Sequence, residues 1–79
     1  MNKTYDLEYK KIGLNIAYYR KLNGITQLQL AELANLSRTH ISYIEGIGTK
    51  TSLSLDSLFA IADALEIPAY KLLLFPSEE

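Results

Sequence analysis

Five of the six residues from 38 to 43 carry side chains that can donate or accept hydrogen bonds. They are Arg38, Thr39, His40, Ser42 and Tyr43. An arginine can pair through two hydrogen bonds with O6 and N7 of guanine, and a threonine can contact a thymine methyl group. The chain has one histidine and no cysteine, so it has no partner residues for a thiolate metal site or a catalytic triad. We expect recognition of a polar surface such as a base edge, and neither enzymatic activity nor a bound metal ion or cofactor.

The residues before this stretch carry the start and stop signals of a short helix. Thr26 is an N-cap residue, and Gln29 three positions later completes the capping-box pattern. Leu30 and Leu33 then recur at helical spacing. Asn35 follows, and it tolerates the left-handed backbone conformation that ends a helix and turns the chain.

A second helix is predicted directly after that turn. Ser37 is its N-cap residue, and Ile41 and Ile44, three residues apart, mark its buried side. Two capped helices joined by a tight turn over residues 26–45 form the layout of a helix-turn-helix, whose second helix lies in a DNA major groove. The five hydrogen-bonding residues occupy the first turns of that helix, outside its apolar side.

Residues elsewhere in the chain also match the sequence pattern of a known family. The region from Ile12 to about Leu73 resembles the Cro/repressor-type (Xre family) DNA-binding domain. The matching pieces, in the expected order, are Ile12-Gly13, Arg20, Gly24, Thr26-Gln27, Leu30-Ala31, Ser37, Ile41-Ser42, Ile44-Glu45-Gly46 and Ile61-Ala62-x-Ala64-Leu65. The resemblance implies an all-α, five-helix phage-repressor-like DNA-binding domain with the helix-turn-helix at about 26–45. Within the family, residues 36–45 are most similar to the controller proteins of restriction–modification systems, which more often carry tyrosine at the position of His40.

Position and resemblance together assign base reading to the five residues of the second helix, and each has a plainer alternative. Arg38 could be a solvated surface arginine, and the Thr39 hydroxyl could support the helix start. His40 could remain a surface residue without a partner. Ser42 could serve the helix–helix contact, and Tyr43 could cover the edge of the core.

Phosphate binding and one structural contact are assigned to other residues. The resemblance implies that Gln27 bridges a backbone phosphate and the recognition helix. Free amides at the helix starts marked by Thr26 and Ser37 can hold phosphate oxygens. Lys10 and Lys50 are further candidate phosphate contacts, although any solvated lysine has the same signature. The resemblance also implies a partly buried ion pair between Arg20 and Glu45.

Charge is distributed unevenly along the chain, whose net charge is −1. Residues 10–50 carry six basic and two acidic residues, whereas residues 51–79 carry one basic and five acidic residues. The half with the helix-turn-helix is therefore basic although the chain is slightly acidic. This polarity would orient the protein on a duplex.

The chain is expected to form one domain over residues 1–79, because this length suits a single compact core. Residues 1–9 are either a flexible arm or an extension of the first helix, residues 10–66 form the core, and residues 76–79 form a tail. Gly46 to Ser52 is a loop. In a fourth helix, capped by Ser54, apolar residues keep the helical period: Leu55, Leu58, Phe59, Ala62 and Leu65.

Residues 67–75 are predicted to form the last helix, between Pro68 and Pro76, and to carry the dimer contact. Four consecutive apolar residues, 72–75, cannot all face one core. A two-fold dimer would bury the remainder and place two recognition helices ~34 Å apart on a palindromic site. The expected interface residues are Tyr70, Leu72, Leu73 and Phe75. The alternative is a monomer with an exposed apolar tail.

These expectations combine into a homodimeric transcriptional regulator that binds double-stranded DNA and controls its own synthesis. The longest apolar run is far too short to span a membrane, and no export signal begins the chain, so a cytoplasmic protein is expected. At this length, no separate domain that senses a small-molecule ligand is expected. Activation would require a contact with RNA polymerase. The alternative function is that of an antitoxin or another module that binds a protein partner through the same fold.

Overall fold

The computed structural model describes residues 5–46 and 52–75. Four α-helices occupy these ranges: α1 (Asp6–Leu22), α2 (Gln27–Ala34), α3 (Arg38–Glu45) and α4 (Leu55–Leu65). One 3₁₀ helix (Ala69–Leu73) follows. Within the described ranges there is no strand, so the all-α prediction is confirmed for them.

The predicted count of five helices is not reproduced, because the element expected at residues 67–75 is the 3₁₀ helix. It spans five residues and begins after Pro68, the N-cap residue, whose φ is −67°. The proline at position 76 bounds the same segment on the other side. A segment confined between two prolines is short, and a 3₁₀ helix is the form that short helical pieces commonly take.

The ends of α2 and α3 have the local hydrogen bonds that the sequence predicts. The Thr26 hydroxyl oxygen accepts from the Gln29 backbone N–H at 3.0 Å, and the Thr26 N–H donates to the Gln29 side chain at 2.8 Å. Asn35 ends α2 with a φ of 58°, in the left-handed region. The Ser37 hydroxyl accepts from the His40 N–H at 3.0 Å, so both caps are confirmed.

The start of α1 decides between the two alternatives for part of residues 1–9. The helix begins at Asp6, so residues 6–9 are part of it, whereas residues 1–4 lie outside the described ranges. It ends at Leu22, and Gly24 follows with a φ of +72°, a conformation in which glycine is unstrained. Most of the loop expected between Gly46 and Ser52 lies outside the described residues.

The core is formed by one apolar residue or more from every helical element. Its largest fully buried side chains are Ile16, Leu30, Ile41, Ile61, Leu65 and Leu72. Three residues that keep the helical period are nevertheless more than half exposed: Leu33, Leu55 and Phe59. The period places a residue near the apolar side of a helix, but the neighbouring elements decide how wide a strip is covered.

Two contacts of α1 fix the elements on either side of it. Gly13 is buried against the backbone of Ile44 in α3: a β-carbon there would overlap the Ile44 carbonyl oxygen and lie 3.2 Å from the carbonyl carbon. Asn15 donates from Nδ2 to the carbonyl oxygens of Leu72 and Leu74, at 2.9 and 3.0 Å. Helix α1 thus holds both α3 and the 3₁₀ helix.

We predict that Gly13→Ala lowers the free energy of unfolding by about 1–3 kcal/mol, because α1 must move away from α3 to admit the methyl group. The loss is expected even though alanine favours a helix by about 1 kcal/mol over glycine. Urea denaturation measures it. Lys10→Ala, on the exposed side of the same helix, is the control and should change stability by less than about 0.5 kcal/mol. A Gly13→Ala variant as stable as the wild type would contradict the close approach of α1 and α3.

Candidate nucleic-acid interface

Helix α3 separates apolar and polar side chains onto opposite sides. Ile41 and Ile44 are buried in the core. Thr39 and Tyr43 lie four residues apart on the opposite, exposed side, so their side chains are neighbours on the helix surface. The arrangement leaves α3 with a polar outer surface and an apolar inner one.

The structure places the five expected base-reading residues in two groups. Arg38, Thr39 and Tyr43 are exposed, whereas His40 and Ser42 are partly buried. The Tyr43 ring is also one of the large exposed apolar surfaces of the protein. All five therefore border one accessible face, and three of them are exposed on it.

Helices α2 and α3 pack on each other, and a hydrogen bond joins the start of α2 to the end of α3. Gln27 is the first residue of α2, and its Nε2 donates to Glu45 Oε1 at 3.0 Å. Its side chain is partly buried. The residue expected to bridge to the recognition helix thus contacts the last residue of that helix.

The Arg20 guanidinium and the Glu45 carboxylate form the ion pair that the resemblance implies. Arg20 Nε lies 2.8 Å from Glu45 Oε2, and Arg20 Nη2 lies 3.0 Å from Oε1. The side chains are only 11% and 5% exposed. Arg20 Nη1 also donates to the carbonyl oxygen of Ile25 at 2.8 Å, directly before the N-cap of α2. A bidentate pair of this kind has a defined orientation as well as charge complementarity.

The other expected phosphate contacts have different positions. Thr26 and Ser37 are N-cap residues whose hydroxyl oxygens satisfy the third amide of their helices. The preceding amides of each first turn have no partner within an α-helix. Lys10 is exposed on α1. Lys50 lies outside the described residues.

The expected dimer residues do not share one surface, and the assignment of Leu72 is wrong. Leu72 is 0% exposed within a single chain and belongs to the core. A 3₁₀ helix has about three residues per turn, so Tyr70 and Leu73 align on its outer edge while Leu72 points inward. Tyr70 and Leu73 are exposed, and Phe75 is partly buried with the Lys11 ammonium 5.4 Å from its ring centre.

Three further apolar residues are exposed although they are not among the expected interface residues. Leu74 is exposed directly after the 3₁₀ helix, and α4, which packs against that helix, exposes Leu55 and Phe59. The helical spacing of the two α4 residues suggested core positions. One signal in the sequence could have shown that some of them are exposed: α4 has more apolar residues than one buried side of a helix can hold.

None of the helices in the described ranges is long and apolar enough to cross a membrane.

Comparison with known proteins places this arrangement in a family. Residues 16–72 match the family described as helix-turn-helix, which covers α2, α3, α4 and part of α1. The chain belongs to this family, as the resemblance in its sequence indicates.

Several of the similar proteins are control or controller proteins. The chain is 37% identical over 59 residues to the control protein C.SmaI of Serratia marcescens, covering 75% of this chain and 68% of that protein. Its structure is similar to that of the restriction–modification controller protein C.AhdI of Aeromonas hydrophila, with a TM-score of 0.77, 27% identity, and coverage of 84% and 97% of the two chains. It is also similar to a tyrosine-to-phenylalanine mutant of C.Esp1396I bound to its highest-affinity operator site, with a TM-score of 0.75, 33% identity, and coverage of 89% and 92%.

We predict that Arg20→Met lowers the free energy of unfolding by about 3–5 kcal/mol, because it leaves the Glu45 carboxylate buried without its opposite charge. Arg20→Lys keeps the charge but not the bidentate geometry, so its loss should be smaller. Urea denaturation of both variants tests this. A loss below about 1 kcal/mol for Arg20→Met would contradict this interpretation, because it is the size of effect expected for an ion pair exposed to solvent.

Proposed function

We propose that this protein is a sequence-specific transcriptional regulator that binds a palindromic operator as a homodimer. The observation that carries the proposal is the outer surface of α3, which is polar and accessible and follows α2 through a tight capped turn. Membership of the helix-turn-helix family supports the same function. The similarity to a controller protein bound to its operator supports double-stranded DNA as the partner.

Base reading is assigned to the residues on the outer surface of α3. Arg38 pairs with a guanine, and Thr39 contacts a thymine methyl group or a base acceptor. Tyr43, four residues further along the same side, reaches a base edge or the adjacent backbone. His40 and Ser42, which are partly buried, make further contacts with the DNA.

Phosphate contacts then fix the position of α3 in the groove without reading the sequence. Gln27 donates to one phosphate from the start of α2. The free amides of the first turns after Thr26 and Ser37 hold further phosphate oxygens. Lys10 and Lys50 add attraction to the backbone that depends on the salt concentration.

Dimerisation is assigned to the exposed apolar residues of the 3₁₀ helix, of the segment directly after it and of α4. The assigned residues are Tyr70, Leu73, Leu74, Phe75, Leu55 and Phe59. Burying this surface against a second copy removes it from water, and two-fold symmetry supplies the second α3 that a palindromic site requires.

The relatives favour a particular biological setting. C.SmaI, C.AhdI and C.Esp1396I are control or controller proteins, and the last two are named for restriction–modification. We infer a cytoplasmic controller that regulates its own gene through its concentration. Activation of transcription would add a contact with RNA polymerase. The antitoxin alternative receives no support from these relatives.

The first experiment is selection of bound sequences from a random duplex library with the wild type and two Arg38 variants. Arg38→Ala should weaken operator binding by about 1–3 kcal/mol and relax the preference at one base pair in each half-site. Arg38→Lys, the matched control, keeps the positive charge but loses the bidentate pair, so it should relax the same preference while retaining affinity for random DNA. Unchanged preference in both variants would remove Arg38 from base reading.

Dimerisation is tested by placing a charge on the outer edge of the 3₁₀ helix. Leu73→Glu should shift the protein toward monomer and weaken operator binding, because a buried carboxylate without a partner is costly at an interface. Leu22→Glu, at a similarly exposed leucine at the end of α1, should leave the dimer intact. Sedimentation equilibrium measures the association. A Leu73→Glu variant that remains fully dimeric would exclude this edge from the interface.

A further inference from the structure

The Arg20–Glu45 pair contacts the start of α2 at two separate points. Arg20 Nη1 donates to the Ile25 carbonyl oxygen, one residue before the N-cap. Glu45 Oε1 accepts from Gln27 Nε2, one residue after the N-cap, and also from Arg20 Nη2. The backbone and the side chain at this end of α2 are therefore both attached to the pair.

The contact with Glu45 determines which way the Gln27 amide points. An ionised carboxylate only accepts hydrogen bonds, so the nitrogen and not the oxygen of the amide must face it. One N–H of Nε2 is used in this bond. The second N–H projects away from Glu45, because the two N–H bonds of a planar amide diverge. It is the donor available to a phosphate oxygen.

The charge of Arg20 also makes the Glu45 carboxylate compatible with a nearby DNA phosphate. Glu45 lies within hydrogen-bond distance of a residue assigned to phosphate, where an unpaired negative charge would repel the DNA backbone. The guanidinium occupies both carboxylate oxygens and balances their charge. The pair can therefore orient the Gln27 amide through a carboxylate, and it adds no net negative charge beside the DNA backbone.

We infer that Glu45 and Arg20 are positioning residues for the contact between Gln27 and DNA phosphate. Glu45 orients the Gln27 amide so that its second N–H points outward, and Arg20 holds the Glu45 carboxylate and the peptide before α2 in register. This inference rests on the proposed function and deepens it. It assigns the pair a role in DNA affinity in addition to its role in joining α1 and α3.

A double-mutant cycle separates this role from a purely structural one. Operator affinity is measured for the wild type, Gln27→Ala, Glu45→Gln and the double variant, at one salt concentration and a temperature where urea denaturation shows all four to be folded. In the wild-type background, Gln27→Ala should weaken binding about threefold to tenfold, the effect of losing one hydrogen bond. In the Glu45→Gln background, where a neutral amide no longer imposes one orientation, the same change should weaken binding less than about twofold.

The cycle also removes the trivial effect of charge. Loss of the Glu45 negative charge alters attraction to DNA equally with and without the Gln27 amide, so it cancels in the comparison. Glu32→Gln is the matched control: it removes a carboxylate from the exposed side of α2, away from these contacts, and its effect should add to that of Gln27→Ala. If Glu45→Gln does not fold, Glu45→Asp is used instead, because it keeps the negative charge near Arg20 while a side chain shorter by one methylene weakens the contact with the Gln27 amide.

The outcomes distinguish this inference from the proposed function. Strict additivity of Gln27→Ala and the Glu45 variant overturns the positioning role and leaves DNA binding intact. So does a Gln27→Ala variant with wild-type affinity. Failure of the wild type to prefer any duplex sequence in the library selection overturns the proposed function, and the inference with it.

Discussion

The ion pair between Arg20 and Glu45 is the constraint on which the arrangement of the helices depends. Two charges with so little exposure are stable only if they satisfy each other, and their geometry admits little variation. The pair connects the end of α1 to the end of α3, and through the Ile25 carbonyl it also holds the peptide that leads into α2. Any large change in the angle between α2 and α3 would break one of these bonds.

Helix α1 connects α3 to the 3₁₀ helix. Its Gly13 allows the backbone of α3 to approach closely, and its Asn15 holds the carbonyl groups at the end of the 3₁₀ helix. The proposed reading surface and the proposed dimer surface are thus attached to the same helix. For two copies on a palindrome, this attachment would set the separation of the recognition helices.

Much of the helix-turn-helix could be predicted because its determinants are local. The caps at Thr26 and Ser37 and the left-handed Asn35 each depend on residues within a few positions of each other. The tertiary contacts were harder to predict from the sequence. The Arg20–Glu45 pair was implied only by family resemblance, and the bond from Gln27 to Glu45 joins residues 18 apart without a signal in their spacing. The burial of Leu72 and the exposure of Phe59 were missed because periodicity does not show how neighbouring elements cover a helix.

The sequence by itself determined where α2 and α3 begin, which side of α3 is apolar, and which polar residues remain on the other side. Hydrogen bonds between near neighbours and the period of the helix are sufficient for this. Only the tertiary structure decided that the segment after Pro68 forms a 3₁₀ helix with Leu72 inward, and that Gln27 is held by Glu45. These features depend on the positions of elements distant in sequence, since a side chain is buried or oriented by whatever packs against it.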